Sequence, residues 1–316
     1  MQVLVAGATG FVGQAVVREA LAREHQVFAL VRAEAETIFP VDPESGGLLS
    51  TVPWGADPEV LRAGFGLERG AWIVNAAGLL RERPGLDPHR IHAEIAHMVV
   101  ELAEGLEAER LVQFGPLLSP TGDAFIHSKA EAERIVRSAR VPWSVVRSAP
   151  VYGPGDELLD EIGAWMMRSP VIPKFLEQVP LRPVWVGDLA AALLAARPGN
   201  QELGGERVLW GELLEQCARA AGKKLLGPSL SDETVRRLAR AFGHRPLFMN
   251  LVPFNEAGFM RHLTGYEVKE SLLAELLGRP PRRLDDYLRK DWPYRDESIE
   301  GPGPNLQEER EETRVG

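Results

Sequence analysis

One cysteine, Cys217, stands in 316 residues, so the chain forms no intramolecular disulfide and offers no multi-thiolate metal site. It lies on an apolar helical stretch and reads as packing; no metal ligand set is read elsewhere. Basic residues are outnumbered, 36 Lys and Arg against 45 Asp and Glu, and the formal charge of −9 argues against a general nucleic-acid binder. The clearest basic cluster, Arg279 to Arg283, contains two prolines and reads as a solvated turn. No uninterrupted apolar run suits a membrane span, and no internal repeat is visible. The N-terminus enters a strand at once, so no targeting segment is read. The cytoplasm is the expected location, with a peripheral place on a membrane complex as the alternative.

With 45% hydrophobic and 26% charged residues, the chain can bury a sizeable core. Its length suits one large α/β domain or a core with a smaller lobe. Residues Val3 to Gly13 read VLVAGATGFVG: an apolar run, glycines at Gly7, Gly10 and Gly13, then a helical pattern. An anion that approaches a backbone needs N–H groups that no side chain covers, and a helix N-terminus adds partial positive charge. A glycine turn placed between strand and helix meets that need. The spacing Gly7-x-x-Gly10-x-x-Gly13 departs from the GxGxxG of ordinary dehydrogenases.

The patterning predicts strands over Val3–Ala6, Gln26–Val31, Leu49–Val52, Trp72–Asn75, Leu111–Phe114 and Trp143–Arg147. Helices over Val12–Arg23, around Leu61–Gly64, over Ile91–Gly105 and over Ala124–Ala139 alternate with them. Such alternation specifies an α/β fold, a doubly wound parallel sheet of Rossmann type that binds ligands beyond the carboxyl ends of its strands. Residues 1–153 form the expected dinucleotide-binding core, and 154–294 a smaller, mostly helical C-terminal lobe with a helix near Leu158–Met167. Within that lobe Val184–Val186 reads as a strand and Leu189–Ala196 as a helix, so 184–196 returns to the core. Met166, Met167, Phe248, Met249, Phe254 and Phe259 fit an apolar pocket or plain core equally well. Residues 295–316, rich in Glu, Gly and Pro, are expected to be a disordered acidic tail.

To about residue 290 the chain resembles the short-chain dehydrogenase/reductase superfamily in its extended and atypical branches. It is most similar to the NDUFA-nine-like complex I subunits, a likeness that LLRERPG at Leu79–Gly85 strengthens, and to the NmrA/isoflavone-reductase-like proteins. The resemblance implies a dinucleotide held by Gly7, Thr9, Gly10, Phe11, Val12, Gly13, Arg32, Asp57, Ala76, Ala77, Gly78, Lys129, Pro150 and Val151. Arg32 ends the second strand where NAD-preferring relatives carry an acid, and it implies NADP(H) in preference to NAD(H) by pairing with a 2′-phosphate. Asp57 matches an acid near the adenine, although Trp54 replaces its usual acidic neighbour. Asn75-Ala76-Ala77-Gly78 is similar to a turn that approaches the ribose. Arg147 resembles the start of the segment that passes the nicotinamide, with Ser148 in place of its proline. Trp185-Val186-Gly187-Asp188 looks like the element that anchors the second lobe, with Asp188 as a helix cap.

The same resemblance puts the family's catalytic tyrosine at Phe125, its lysine at Lys129, its serine at Gly115 and a helical asparagine at His92. Ser119 lies four residues past Gly115. Tyr152, Tyr266, Tyr287 and Tyr294 are followed four residues later by Asp156, Glu270, Asp291 and Ser298, so no YxxxK exists in the chain. A phenylalanine donates no proton, and general acid–base help is worth roughly 10²–10⁴-fold. The expected function is therefore an NADP(H)-binding protein without tyrosine-type catalysis, in a structural or redox-sensing role. The alternatives are an NADPH-dependent reductase or epimerase-like enzyme using Lys129, and an NmrA-like regulatory protein. His92 and His127 are lesser acid–base routes; His127, two residues from Lys129, falls on another helix face. Besides the dinucleotide, the partners left open are a small apolar ligand and a protein partner, a respiratory-complex-like assembly among them.

Overall fold

The computed structural model describes residues 1–32, 47–78, 88–118, 124–169, 173–225, 229–242 and 266–296. Six strands of the first half, β1 (Gln2–Ala6), β2 (Gln26–Val31), β3 (Leu49–Pro53), β4 (Trp72–Asn75), β5 (Arg110–Pro116) and β6 (Trp143–Ser148), enter one sheet. After three short strands, β7 (Val151–Tyr152), β8 (Pro180–Leu181) and β9 (Val184–Trp185), the strand β10 (Gly199–Leu203) joins it as the seventh. The order is β10-β6-β5-β4-β1-β2-β3, and every neighbouring pair is parallel.

Parallel strands need crossovers, and right-handed crossovers place helices on both faces. Successive side chains along a strand take opposite faces. Val3, Val5, Val27 and Ala29 thus pack with Val16 and Ala20 of α1 (Phe11–Ala22) and Leu189 and Leu193 of α6 (Val186–Leu193). Leu4, Phe28, Ile73 and Leu111 pack on the other side with Leu61 of α2 (Pro58–Phe65), Val99 and Leu102 of α3 (Pro88–Gly105), and Ile135 and Val136 of α4 (Ala124–Arg137). Burial on both faces is why β1 and β2 read as unbroken apolar runs.

Two expectations are corrected. The helix after β9 begins at Val186 rather than Leu189. Gly199–Leu203, for which no strand is expected, pairs with β6 as β10. Its GNQEL sequence hides the strand: Gln201 is buried, donating to Arg197 O at 2.6 Å and accepting from Arg197 N at 3.2 Å.

The second lobe packs α5 (Glu157–Arg168) and α7 (Trp210–Ala220) with α10 (Leu284–Lys290) and, through Val235, α8 (Asp232–Phe242); β11 (Val208–Leu209) pairs with β8, while α9 (Leu273–Leu277) packs on α6 in the core of the main sheet. Its core holds Trp165, Phe175, Trp210, Tyr287 and Trp292, each almost fully buried. Met166 joins that core, whereas Met167 is 52% exposed, so the two do not line one pocket. Asp188 is not a cap. It is the third residue of α6, whose first-turn cap is Trp185. Its fully buried carboxylate accepts from Arg279 Nη2 at 2.7 Å and from the backbone N of Arg282 at 2.6 Å, which straps the segment before α10 to α6.

Gly163 lies so close to the segment after α10 that a Cβ there would meet Tyr294 Cδ2 at 2.2 Å and Trp292 Cζ2 at 2.8 Å. The backbone N of Asp296 donates to Ala220 O at 2.6 Å. A chain cut after Asp296 is therefore expected to melt like the full chain. A cut after Lys290 removes Trp292 and is expected to cost about 3–5 kcal/mol, the usual price of emptying a buried Trp site. Calorimetry of the two truncations checks this; equal melting temperatures would contradict it. Leu79–Gly85, Ser119, Phe248, Met249, Phe254, Phe259 and residues 297–316 lie outside the described residues. No helix among the described residues is long and apolar enough to cross a membrane.

Candidate dinucleotide-binding site

Strand order reverses at β1, which has β2 on one side and β4 on the other. Their chain connections run to opposite faces there, leaving a crevice beyond the carboxyl ends. The glycine turn fills one wall of it. Gly7 has φ +78°, and a Cβ on it would lie 2.5 Å from Ala77 Cα and 2.6 Å from Ala77 N. A Cβ on Gly13 would lie 2.0 Å from Gly7 O. These two glycines close the turn against the chain after β4 and bring α1 down onto it.

Gly10 does something else. It is the N-cap of α1 with φ −81° and ψ 167°, an ordinary extended conformation. A Cβ there would meet only Gly7 O at 3.3 Å. Position 10 is exposed, so glycine leaves open the space in front of the first helical turn. The N–H groups of Phe11, Val12 and Gly13 have no acceptor within an α-helix, and no acidic residue stands in that turn. Thr9 contributes its carbonyl to Gln14 Nε2 at 3.0 Å, tying the turn to the helix. The arrangement accepts an anion and so fits the pyrophosphate of a dinucleotide.

Arg32 is exposed just past β2. Trp54 follows β3, its N donating to Val31 O at 2.7 Å, so the segment carrying Asp57 begins beside the end of β2. Asp57 itself is the N-cap of α2, with Oδ1 accepting from Glu59 N at 2.7 Å. After β4, Asn75 shapes the turn: Oδ1 accepts from Ala77 N at 3.1 Å, and Nδ2 donates to Gln113 Oε1 at 2.8 Å. That leaves Ala76 and Ala77 against Gly7, with Gly78 exposed beyond them and its Cβ side against Lys129 and His92. Pro150 and Val151 join the core to the second lobe, with Val184 N donating to Pro150 O at 2.9 Å and Val151 paired with Val184.

Lys129 reaches this crevice from α4. Its side chain is buried, and Nζ donates to Ala77 O at 3.1 Å. Burial draws its pKa down to about 8, against the opposing pull of Glu133 one helical turn away. Phe125 stands one turn earlier on α4. Its ring meets His92 edge to face, with centroids 5.8 Å apart. His92 is buried on α3, and its Nδ1 lies 2.8 Å from Ser128 Oγ. Ser128 Oγ in turn donates to Phe125 O at 2.7 Å. A Cβ on Gly78 would lie 2.4 Å from Lys129 Nζ and 3.2 Å from His92 Nε2. His127 is exposed on another face of α4.

Gly115 and Arg147 converge on Glu133, whose carboxylate is 1% exposed. Arg147 grips it with Nε at 3.0 Å and Nη2 at 2.7 Å, and Arg137 adds a contact at 2.8 Å. A Cβ on Gly115 would touch Glu133 Oε1 at 3.5 Å. Arg147 therefore braces β6 against α4. Ser128 and Glu133 were not singled out from sequence; the available signals were the spacing of Ser128 at +3 from Phe125 and of Glu133 at +4 from Lys129.

No family model matches the chain. It is 30% identical over 234 residues to a ceramide reductase of Caulobacter vibrioides, covering 70% of this chain and 71% of that protein. It is 32% identical over 185 residues to a 3-diazoavenalumate denitrifying reductase of a Streptomyces species, covering 49% and 58%. A third relative, subunit 9 of the NADH dehydrogenase [ubiquinone] 1 alpha subcomplex of Dictyostelium discoideum mitochondria, is 26% identical over 222 residues, covering 67% and 61%. Among solved structures, a nucleoside-diphosphate-sugar epimerase of Staphylococcus aureus superposes with a TM-score of 0.66 at 17% identity, over 92% of this chain and all of that one. MoeE5, solved with UDP-glucose and NAD, gives 0.61 at 19% identity over 91% and 96%. These structures share the fold. Together with the glycine turn and the lysine on α4, the relatives show that the chain belongs to the extended and atypical short-chain dehydrogenase/reductases, a family of NAD(P)-binding reductases and epimerase-like proteins.

Proposed function

We propose that the protein is an NADP(H)-dependent reductase that works without the tyrosine mechanism. The observation that carries this reading is Lys129, buried at Ala77 O beside the glycine turn while a phenyl ring holds the tyrosine position. A lysine is costly to bury, and a ligand-facing role gives a reason for its place. The reductase names of two relatives support the same reading. When bound, the dinucleotide supplies the hydride. Gly10 would admit its pyrophosphate at the turn that Gly7 and Gly13 close, Arg32 would pair with a 2′-phosphate, and Lys129 would face the ribose and the reacting end. The mitochondrial relative is a complex subunit by name, and together with Phe125 and Gly115 it favours a second reading: a bound dinucleotide that serves as a structural element or redox reporter in a peripheral assembly.

Fluorescence titration with NADPH and NADH tests the preference. NADPH is expected to bind about 10–100-fold more tightly, the worth of one charge-assisted hydrogen bond. In Arg32→Glu that ratio is expected to invert. Equal affinities in the parent chain would contradict the assignment of Arg32. NADPH oxidation across a panel of aldehydes and ketones separates the two readings: turnover that Lys129→Ala removes supports the reductase, and no turnover above background supports the structural role.

A further inference from the structure

Asp156 caps α5, Asp160 lies one helical turn on, and Gly163 continues the same face. That face takes up the chain at and after α10: Trp292 and Tyr294 lie against Gly163, and Tyr287 feels the charge of both carboxyls. Trp292 N donates to Tyr287 O at 3.0 Å, and Asp296 N reaches Ala220 O of α7. Asp156 is 2% exposed; its carboxyl accepts from Leu159 N at 2.6 Å and from Gly153 N at 3.1 Å. Asp160 has less. Its Oδ1 is buried without a hydrogen-bond partner among the described residues, as are Tyr287 Oη and Trp292 Nε1. Neither the phenol nor the indole thus donates to a carboxyl.

Two carboxyls four residues apart oppose one another when both are ionised, and burial without a countercharge makes each charge costly. Among the described residues, the titratable groups that face them are Cys217 of α7 and Tyr287 of α10. Burial pushes the thiol and the phenol well up, so both stay neutral. Arg282, the cation that faces Tyr287, is paired with Asp291. We propose that the segment from Tyr287 to Asp296 is a proton-linked clasp, seated on α5 while the Asp156–Asp160 pair is protonated and loosened when both carboxyls ionise. Lifting the segment returns that face to water, where a carboxylate is cheap. Burial pushes Asp156 up to about 7, against the N–H groups that it accepts from and with the charge of Asp160 adding to the push; burial raises Asp160 as well. The seated form therefore holds a proton that the loosened form gives up. Seating is strongest below the ordinary carboxylate range and is lost as pH rises through about 7. Gly153, held by Asp156, follows the joint at Pro150 and Val151, so the clasp bears on the link between core and second lobe.

Hydrogen exchange in the full chain at pH 5.5 and pH 8, read by NMR and corrected for the intrinsic rate at each pH, tests the clasp. The reporters are the buried indole N–H of Trp292 and the amide of Asp296. Their protection is expected to fall at least tenfold from pH 5.5 to pH 8, because exchange proceeds through the loosened form. A smaller fall, or a rise, overturns the clasp. Two variants assign the proton. Asp160→Asn removes the opposing charge and leaves the cap of α5 in place. Its reporter protection at pH 8 is expected to exceed the parent's at least threefold, and a lesser gain or none overturns the clasp. Asp156→Asn/Asp160→Asn is expected to show the same protection at both pH values. A tenfold fall in that variant would put the titrating group elsewhere and overturn the clasp too. If the double variant does not fold, the parent and Asp160→Asn decide.

Discussion

Gly10→Val is expected to fold and to lose the dinucleotide, whereas Gly13→Ala is expected not to fold at all. The two glycines stand three residues apart in one turn but face different things. At Gly13 even a methyl group would sit 2.0 Å from Gly7 O, inside any tolerable contact, so α1 could not stay seated on the turn. At Gly10 the backbone is extended with negative φ, and the nearest atom to a new Cβ is Gly7 O at 3.3 Å. The remaining cost is that of a poor N-cap in place of a tolerable one, about 1 kcal/mol. The branched side chain would then cover the amides of the first turn, so the pyrophosphate loses its approach. Calorimetry and NADPH titration check both variants. A Gly10→Val protein that folds and binds as tightly as the parent would place the dinucleotide elsewhere.

Lys129→Met is expected to make the empty protein more stable and the nucleotide complex weaker. A lysine whose folded pKa is lowered to about 8 from its ordinary 10.5 is destabilising when charged. Between those values the unfolded chain holds a proton that the folded chain has released, so stability rises with pH across that window. Below it both states are protonated and the folded state carries the full cost, roughly 3 kcal/mol. Methionine fills similar space without charge and gives up the bond to Ala77 O, worth about 1 kcal/mol. The net expectation at neutral pH is a gain of about 2 kcal/mol, shrinking as pH approaches 10. NADPH affinity is expected to fall about 10–100-fold with the loss of a charged donor. Chemical denaturation at pH 7 and pH 10, with and without NADPH, measures all four quantities. A variant less stable than the parent at pH 7 would show that Lys129 is held for the fold.

Much of the core was legible because it rests on local pattern. Trp72–Asn75 and Gln26–Val31 were placed correctly from sequence, since buried parallel strands are continuous apolar runs bounded by polar turns. The glycine turn was legible because its spacing lies between such a strand and a helix. What escaped depends on partners distant in sequence. Asp188 looks like a cap from its neighbours, but the groups it binds, Arg279 and the N of Arg282, come some ninety residues later. β10 turns two side chains into the core, and only one of them, Leu203, is apolar; the other is the buried amide of Gln201, so no apolar alternation marked the strand. His92 was visible as a position but not as a directed imidazole. Its orientation comes from Ser128, on a helix that meets α3 only in the folded chain.

Where the dinucleotide sits is tested most directly by backbone amide NMR of the full chain during titration with NADP⁺. The expected result is saturable binding with the largest shifts at the amides of Phe11, Val12 and Gly13 and at Ala76 to Gly78, the two walls that meet where a Gly7 Cβ would touch Ala77. Saturable binding that leaves those six amides unmoved would contradict the site.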